Sequence, residues 1–390
     1  MSSSKNKASD HVAASLWRKR RVAFHNRITG MPIYRSRHVR SLLSYALIVF
    51  SDIRDYITRR QKISFLDMMK MWPKGFSANK LSLYDFDRYP KRSYISDVSV
   101  LRDFNYIYNC DKTNAALLDN KLLSNLLLRA HVPVPKLIAI IMDGSIIPLC
   151  KEGSCRDYRD ILNVIKDYPR LVIIPYDSGA SIGLHYIRCH NDGMVEVNQG
   201  MMDHAQLQRF VASLDGFMVL EQVSQAGYSE RIYPNSTNTI RIMTLYDREK
   251  DEAVVLAAAH KFATNSSYPA ETVIRGGLLS RIDLESGQLR ETITRPNMYS
   301  YLRCEKHPDT GMPIEGTVIP NWDSILKTIR SASKQLAFLP YIGWDIVVTE
   351  NNFVVIEGNT KPGIESMQIL APLLEKERNR EIMRRISDRM

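Results

Sequence analysis

The amino-acid sequence predicts an α+β protein of two lobes, preceded by a basic and mostly helical N-terminal region. Short apolar segments separated by turn residues follow the helical first quarter, and strand patterns dominate the last third of the chain. Two long helical patterns are interspersed near the end. Strands in runs, followed by mixed elements and long helices, are typical of α+β organisation.

The order of these patterns divides the 390 residues into four regions. Residues 1–15 are polar and rich in Ser and Lys, so we expect a disordered tail. Residues 16–108 are expected to form the basic, mostly helical region. Residues 109–223 would then form the first lobe, and residues 224–390 the second.

Apolar spacing and turn residues place the individual elements of the lobes. Helices are predicted at residues 111–130, 204–214, 322–337 and 367–386. Strands are predicted at residues 136–142, 171–175, 182–189, 194–198, 217–223, 238–246, 253–261, 277–283 and 349–357.

Positive charge is concentrated in the first quarter of the chain. Residues 1–92 contain 20 Lys and Arg against 6 Asp and Glu, a net charge of +14, whereas the whole chain carries +11. We therefore expect this quarter to contact an anionic partner, either a membrane surface or an acidic glycan, with a solvated basic face as the alternative. Nucleic acid is the least expected partner, because the sequence contains no nucleic-acid-binding motif.

An apolar stripe runs through this basic region. Leu42, Leu43, Ala46, Leu47 and Phe50 fall at helical spacing, and basic residues flank them on both sides. Such a helix either lies on a membrane interface or packs on the core of its own domain, and the second use is the commoner one.

The sequence favours a cytoplasmic protein, with peripheral contact at the inner face of the membrane as a further option. Residues 1–10 are polar, unlike a signal peptide, and the apolar stretch at 42–50 is too short to span a bilayer. Five cysteines without a framework indicate reduced thiols rather than disulfides or a zinc site.

Oxygen ligands converge at one end of a predicted hairpin. Two apolar strands flank the Asn351-Asn352 turn, with Asp345 near the start of the first and Glu357 and Asn359 near the end of the second. Antiparallel pairing brings those ends together, and residues two apart share a face. Three hard oxygen ligands, two of them ionised, suit Mg²⁺. An exposed polar hairpin tip is the alternative.

The same three residues resemble the magnesium-binding signature of ATP-grasp enzymes, an Asp followed twelve residues later by Glu and then by Asn. Segments 119–121, 132–135, 176–183 and 219–223 resemble other conserved parts of that family, in the same order. Finer features resemble its sugar-transfer-associated branch, which is related to alpha-L-glutamate ligases. These features are the segments 238–241, 276–287, 307–322 and 343–345.

The resemblance implies an ATP-grasp fold, in which two α+β lobes clasp ATP, and it implies Mg²⁺ as the metal. Within that fold Glu221 and Val223 would bracket the adenine and Glu230 would contact the ribose. Lys121 would reach a phosphate. The loop over the phosphates would contribute Ser178, Gly179, Ser181 and Gly183, because glycine lets a backbone approach a phosphate closely.

Arg241 lies within a predicted strand, where a charged side chain needs a partner. A phosphate or a developing acyl phosphate suits a planar, bidentate guanidinium, and an ion pair with Asp345 or Glu357 is the structural alternative. Arg241, Lys261 and Arg275 are the predicted catalytic residues. His260, with Lys261 and Arg275, is expected to face the second substrate.

Two positions depart from the family pattern. Ile174 stands before Pro175, where the family has a lysine that contacts the nucleotide phosphates. Gly343 stands two residues before Asp345, where several relatives have a transition-state arginine, so Arg241 or Arg275 would have to replace it. These departures affect the expected activity rather than the expected fold.

The resemblance implies an ADP-forming ligase that joins a carboxylate to an amine, or to a related nucleophile, through an acyl phosphate. The branch suggests small-molecule or glycan substrates, such as a sugar acid in surface polysaccharide or glycoconjugate synthesis. No Walker, Gly-x-Ser-x-Gly or His-Glu-x-x-His motif points to other chemistry. The alternatives are a kinase of the same fold, which transfers phosphate to a hydroxyl, and a non-catalytic ATP-binding scaffold.

Overall fold

The computed structural model describes residues 36–58, 63–104, 112–149, 159–178, 182–190 and 192–388. The predicted disordered tail, residues 1–15, and the basic residues before position 36 lie outside this part of the chain. The chain divides into two compact units. The first takes its residues from positions 1–82, 86–112 and 376–390, and the second from 83–85 and 113–375.

The described part of the first unit is helical. Its elements are α1 (Arg37–Ile57), α2 (Phe65–Met71), α3 (Lys80–Leu83) and α4 (Asp97–Ser99), the last continued by a π-helical turn at Val100–Phe104. None of the helices in the described part of the chain meets the length and hydropathy that a membrane-spanning helix needs.

Helix α1 leaves Leu42, Ala46 and Phe50 of its apolar stripe exposed, whereas Leu43 and Leu47 are half-buried. Leu42 and Phe50 are 71% and 61% exposed, whereas Ser44, Ile48 and Asp52 on another face are buried. The expectation that the stripe packs on the protein's own core is therefore wrong for these side chains. The reason is that the buried carboxylate of Asp52 accepts hydrogen bonds from groups that follow α2, and these bonds fix which face of α1 points inward.

The first sheet of the second unit is antiparallel and has seven strands, in the order β2-β1-β7-β3-β4-β5-β6. Helices α5 (Lys112–Asp119) and α6 (Lys121–Leu128) precede it, and α7 (Ile161–Asp167) and α8 (His204–Ala212) share one apolar core with it. Its strands are β1 (Leu137–Met142), β2 (Ser145–Pro148), β3 (Arg170–Pro175), β4 (His185–Cys189), β5 (Val195–Val197), β6 (Gly200–Met202) and β7 (Phe217–Glu221).

A second seven-stranded antiparallel sheet follows, in the order β12-β11-β10-β9-β8-β13-β14. After α9 (Gly227–Ile232), its strands are β8 (Thr239–Asp247), β9 (Glu252–Phe262), β10 (Leu278–Ile282), β11 (Leu289–Asn297), β12 (Ser300–Arg303), β13 (Tyr341–Val348) and β14 (Phe353–Asn359). The remaining helices are α10 (Trp322–Gln335), α11 (Ile364–Leu370) and α12 (Glu377–Asp388), of which α12 groups with the first unit.

These elements confirm the α+β prediction of two lobes, each built on its own sheet, and the hairpin of β13 and β14. Two predicted helices are wrong in extent. The helix at 111–130 breaks at Asn120, where the backbone is extended. The Asn120 side chain caps α6 by accepting a hydrogen bond from the Leu123 N–H at 3.1 Å. The helix at 367–386 breaks where Ala371 is extended and Pro372 follows.

Trp344 joins the second sheet to α10. It is fully buried, and its indole N–H donates to Thr244 Oγ1 at 2.9 Å and Ser333 Oγ at 3.1 Å. Since β-strand side chains alternate, this inward position sends the neighbouring Asp345 to the opposite face of the sheet.

Replacing Trp344 should test this packing. We expect Trp344→Ala to lower the free energy of unfolding by about 3–5 kcal/mol, because it removes a large buried side chain and leaves a cavity. Urea denaturation followed by circular dichroism measures the change. Val318→Ala, at a position 56% exposed, is the control and should change stability by less than about 0.5 kcal/mol. Equal effects would contradict the assigned role.

Candidate functional site

A cavity of about 350 Å³ lies between the two sheets of the second unit. The first sheet and the segments beside it supply an apolar wall, and the second sheet supplies charged side chains. The volume falls within the range of small-molecule sites, and an apolar wall with a few convergent polar groups is the usual lining of such sites. The apolar wall consists of Val172, Ile174, Leu184, Met218, Leu220 and Val223.

Four adjacent strands place the charged groups on one face of the second sheet. Asp345 on β13 lies opposite Glu357 on β14 and opposite Arg241 on β8. Lys261 on β9 lies opposite Thr239, two residues before Arg241. Residues directly opposed in antiparallel strands, and residues two apart on one strand, point to the same face. The register therefore gathers all four side chains at the cavity.

Asp345 is a buried carboxylate held by two cations. Arg241 donates from Nε to Oδ1 at 2.5 Å and from Nη2 to Oδ2 at 2.6 Å, and Lys261 Nζ lies 3.2 Å from Oδ1. Burial by itself would raise the pKa of Asp345, but Arg241 and Lys261 outweigh it and hold this pKa at about 2. The carboxylate therefore stays ionised. The ion pair given as the alternative for Arg241 is the contact that the structure contains.

Glu357 has a different electrostatic environment. Lys121 Nζ lies 3.1 Å from its Oε1 and also donates to the Ser178 carbonyl oxygen. Burial nevertheless raises the pKa of Glu357, because Lys121 offsets only part of the cost of desolvation and the charge of Asp345 adds to it. A further cation at this position would favour the ionised form.

Glu271 completes the charged part of the cavity, and sequence reasoning missed it. Its Oε1 lies 3.1 Å from Lys261 Nζ and accepts from the Thr239 hydroxyl at 2.7 Å. The nearby sequence signal was the Gly276-Gly277 pair, because a Cβ on Gly277 would come within 2.9 Å of the Glu271 backbone. Thr237 and Tyr186, which also line the cavity, carried no sequence signal.

The predicted metal ligands lie together. Asn359 Nδ2 donates to Asp345 Oδ2 at 3.4 Å, so the amide borders the carboxylate opposite Glu357. Within the described residues no group of three His, Cys, Asp or Glu is arranged to hold a metal. Two carboxylates and one amide still form the oxygen-only donor set that suits Mg²⁺, which keeps several waters or phosphate oxygens in its own shell.

The structure brings three of the eight predicted nucleotide-binding residues into the cavity lining. Lys121, Glu221 and Val223 line the cavity, and so does Ile174 at the position where the family has lysine. Ser178 contacts the cavity-lining Lys121, because its carbonyl oxygen accepts a hydrogen bond from Lys121 Nζ. Gly183 adopts φ +79°, and a Cβ there would come within 2.8 Å of the Pro175 ring. Gly179 and Ser181 lie outside the described residues.

Five of the predicted residues that the structure describes are not part of the cavity lining, namely Ser178, Gly183, Glu230, His260 and Arg275. Glu230 on α9 and Arg275 are exposed. His260 points to the opposite face of β9 from Lys261, where it is buried, stacks on Phe262 and lies 3.0 Å from the Tyr228 hydroxyl. Burial lowers the pKa of His260 to about 3, so it is neutral.

Steric crowding explains why position 343 is a glycine. A Cβ at Gly343 would overlap Pro362, and it would also lie 3.4 Å from Cδ of Arg241. An arginine at this position would therefore require the segment after β14 to move. Of the two replacements expected from the sequence, Arg241 lies at the cavity and Arg275 does not.

Two α+β lobes, with a cavity that is apolar on one side and charged on the other, define a nucleotide-binding architecture of the ATP-grasp class. The family described as sugar-transfer associated ATP-grasp matches residues 101–380, well over half of the chain. The chain therefore belongs to this family, whose nucleotide is ATP. No curated protein matches the chain.

Solved structures show only distant similarity. An L-amino acid ligase from Bacillus licheniformis is 12% identical, with 67% of this chain and 48% of that chain covered and a TM-score of 0.37. A D-alanine–D-alanine ligase from Bacillus anthracis is 14% identical, with 71% and 70% covered and a TM-score of 0.35. This chain thus spans about half the length of the first of these ligases.

Replacing Arg241 should expose the cost of a buried carboxylate that keeps only Lys261 as its cationic partner. We expect Arg241→Met to lower the free energy of unfolding at pH 7 by about 3–5 kcal/mol. In the wild type the lowered pKa of Asp345, about 2, makes the pair stabilising above about pH 4, and this contribution is lost as the pH falls toward 2. In the variant the carboxyl can protonate, so the difference between the two proteins should shrink from pH 7 to pH 4.

Urea denaturation at both pH values measures this difference. Arg281→Met is a matched control, because Arg281 pairs with Glu291 at 2.7 Å in the same sheet but both side chains are partly exposed. That change should cost no more than about 1 kcal/mol at either pH. A loss for Arg241→Met that is small, or that does not depend on pH, would contradict the electrostatic account.

Proposed function

We propose that this protein is an ATP- and Mg²⁺-dependent ligase that joins a carboxylate to an amine, or to a related nucleophile, through an acyl phosphate. The observation that carries the proposal is the composition of the charged half of the cavity. Three carboxylates, Asp345, Glu357 and Glu271, are neutralised there by Arg241, Lys261 and Lys121. Paired charges of both signs beside an apolar wall suit a ligand that combines a polyanion with a divalent cation and an apolar ring.

The apolar wall and the end of β7 would hold the base of the nucleotide. Val172, Ile174 and Leu220 offer flat apolar contact, and Glu221 and Val223 follow at the edge where the strand ends. Backbone and carboxylate groups at such an edge can accept from the amino group of adenine. The base would then lie on the side of the cavity away from the carboxylates of β13 and β14.

The cations would bind phosphate oxygens. Arg241, Lys261 and Lys121 now neutralise carboxylates, and each is a charge-assisted donor that suits a phosphate equally well. Mg²⁺, held by Asp345, Glu357 and Asn359, would supply Lewis-acid neutralisation of the phosphates. The guanidinium of Arg241 is planar, bidentate and always charged, so it suits the phosphoryl group in transfer.

In the proposed reaction an oxygen of the substrate carboxylate attacks the terminal phosphorus of ATP, and ADP leaves. The acyl phosphate formed is then attacked at its carbonyl carbon by the amine, which loses a proton as inorganic phosphate leaves. The protein's contribution is to position the reactants and neutralise developing charge, and no nucleophilic side chain is required.

The family description supports a sugar-bearing substrate. Sugar-transfer association points to a carboxylate on a sugar acid, or an amine on a glycan, in surface polysaccharide or glycoconjugate synthesis. Glu271, Thr237, Thr239 and Tyr186 would supply hydrogen-bonding groups for such a substrate, because they line the cavity beside Arg241. Hydroxyl and carboxylate groups of this kind are suited to sugar hydroxyls.

Ile174 favours a second candidate, a non-catalytic ATP-binding scaffold. It occupies the apolar wall where the family has a phosphate-binding lysine, so one cation is missing at that position. Lys121 is a cation in the same cavity that could take its place.

The decisive experiment pairs sugar acids with amines in the presence of ATP and Mg²⁺. A ligase releases ADP and inorganic phosphate only when both partners are present, and mass spectrometry then finds the amide. A kinase produces ADP and a phosphorylated acceptor without free phosphate. ATP binding without ADP formation for any pair would favour the scaffold. Scrambling of ¹⁸O within ATP, caused by the acid alone, would test the acyl phosphate directly.

The predicted metal site can be tested without a known substrate. ATP should raise the melting temperature more with Mg²⁺ than with EDTA, since a ligand that binds only the folded state stabilises it. Glu357→Gln should remove most of this difference, because it removes a charged ligand at nearly constant volume. Glu271→Gln is the control, since it changes a carboxylate of the same cavity outside the predicted metal set. A Mg²⁺-dependent shift retained in Glu357→Gln would argue against the site.

The position of the missing lysine gives a second test. Ile174→Lys should tighten ATP binding by about tenfold or more, since a hydrogen bond to a charged group contributes about 1.5–3 kcal/mol. Isothermal titration calorimetry measures the affinity. Ile174→Met, which has similar length but no charge, should leave it nearly unchanged. If both variants bind ATP alike, a cation at position 174 has no access to the phosphates.

A further inference from the structure

The N-terminal unit presents an apolar face to solvent. We define this apolar face by the large apolar side chains of α1 and α2 that are at least 37% exposed. Scattered exposed apolar residues are ordinary, but eight on two successive helices form an unusual concentration. The residues of the apolar face are Leu42, Phe50, Ile53, Tyr56, Ile57, Phe65, Leu66 and Met69.

Buried polar contacts, together with the buried Ile48, fix the orientation of α1. Asp52 is 1% exposed, and it accepts from the Trp72 indole at 2.8 Å, from the Ala78 N–H at 2.9 Å and from the Ser77 hydroxyl. Rotating α1 to bury the stripe would break these bonds and leave their donors without Asp52. The apolar face is therefore held outward by the fold.

Charge indicates what covers this face. Residues 1–35 contain eight Lys and Arg against one Asp, and Arg59, Arg60 and Lys62 lie between α1 and α2 in the sequence. Lys70 on α2 is exposed. A second copy of the chain carries the same excess of positive charge in this region of its sequence, which disfavours it as the partner. A partner that has negative charge at its surface and an apolar interior fits both the exposed apolar side chains and the excess of positive charge. An anionic lipid bilayer is such a partner.

We propose that α1 and α2 seat this protein on an anionic bilayer. The apolar face enters the boundary between headgroups and acyl chains, and the Lys and Arg that flank these helices in the sequence would bind the lipid phosphates. Interfacial helices bind in this way, through buried apolar area together with attraction to anionic lipid. The proposal is independent of the chemistry in the cavity, because none of its residues belongs to the second unit.

The full-length protein can be sedimented with vesicles of phosphatidylglycerol and phosphatidylcholine, or of phosphatidylcholine alone. We expect binding to the anionic vesicles, and weaker binding in high salt, because salt screens the attraction. Phe50→Ser combined with Ile57→Ser should weaken the binding by about tenfold or more, since both side chains lose apolar area that would enter the bilayer. The combined changes Arg18→Glu, Lys19→Glu, Arg20→Glu and Arg21→Glu should weaken it as well.

Leu302→Ser combined with Val318→Ser is the matched control. These side chains are 58% and 56% exposed, but they belong to the second unit, so their loss should leave vesicle binding unchanged. Circular dichroism and the thermal shift with ATP and Mg²⁺ check that each variant folds. Leu42→Ser combined with Leu66→Ser tests the same face if the first pair of changes prevents folding.

Three results would overturn the proposal. The first is vesicle binding that the apolar or the charge changes leave intact. The second is a dimer in analytical ultracentrifugation that Phe50→Ser dissociates, without vesicle binding, because a second copy would then cover the face. The third is a clear loss of melting temperature in the Phe50 and Ile57 variant, again without vesicle binding, because residues of the chain itself would then cover it.

Discussion

The ion pair between Arg241 and Asp345 is the interaction on which the cavity depends. It joins β8 to β13 on the face of the second sheet that borders the cavity, with two hydrogen bonds of 2.5 and 2.6 Å. A carboxyl as buried as Asp345 would otherwise take up a proton. Because Arg241 and Lys261 keep it ionised, a negative charge persists in a partly apolar cavity, and Lys261 extends the pairing to Glu271.

This chain of charges explains how three carboxylates can lie together in one cavity. Asp345, Glu357 and Glu271 each have a cation at ion-pair distance, so none of these three carboxylates is an isolated buried charge, which would be costly. The pairs are also exchangeable, because a phosphate can replace a carboxylate as the partner of Arg or Lys. In the proposed function, a nucleotide that arrives with its metal exchanges partners without adding a large uncompensated charge.

The N-terminal unit shows a limit of amphipathic patterns. The spacing of Leu42, Ala46 and Phe50 predicts a helix, and α1 confirms it. Spacing does not reveal which face a helix buries, because that depends on partners elsewhere in the chain. Asp52 meets donors from positions 72, 77 and 78, about twenty or more residues away, and these contacts outweigh the apolar stripe.

The sequence by itself determined the α+β class, most strands, and the hairpin that brings Asp345, Glu357 and Asn359 to one end, because alternation and antiparallel pairing are local rules. It also contained the ordered motifs by which the family is recognised. Only the tertiary structure decided that Arg241 lies opposite Asp345, that Lys261 rather than His260 faces the cavity, and that Glu271 belongs to it. Strand order and register between distant segments decide these contacts, and no single segment encodes them.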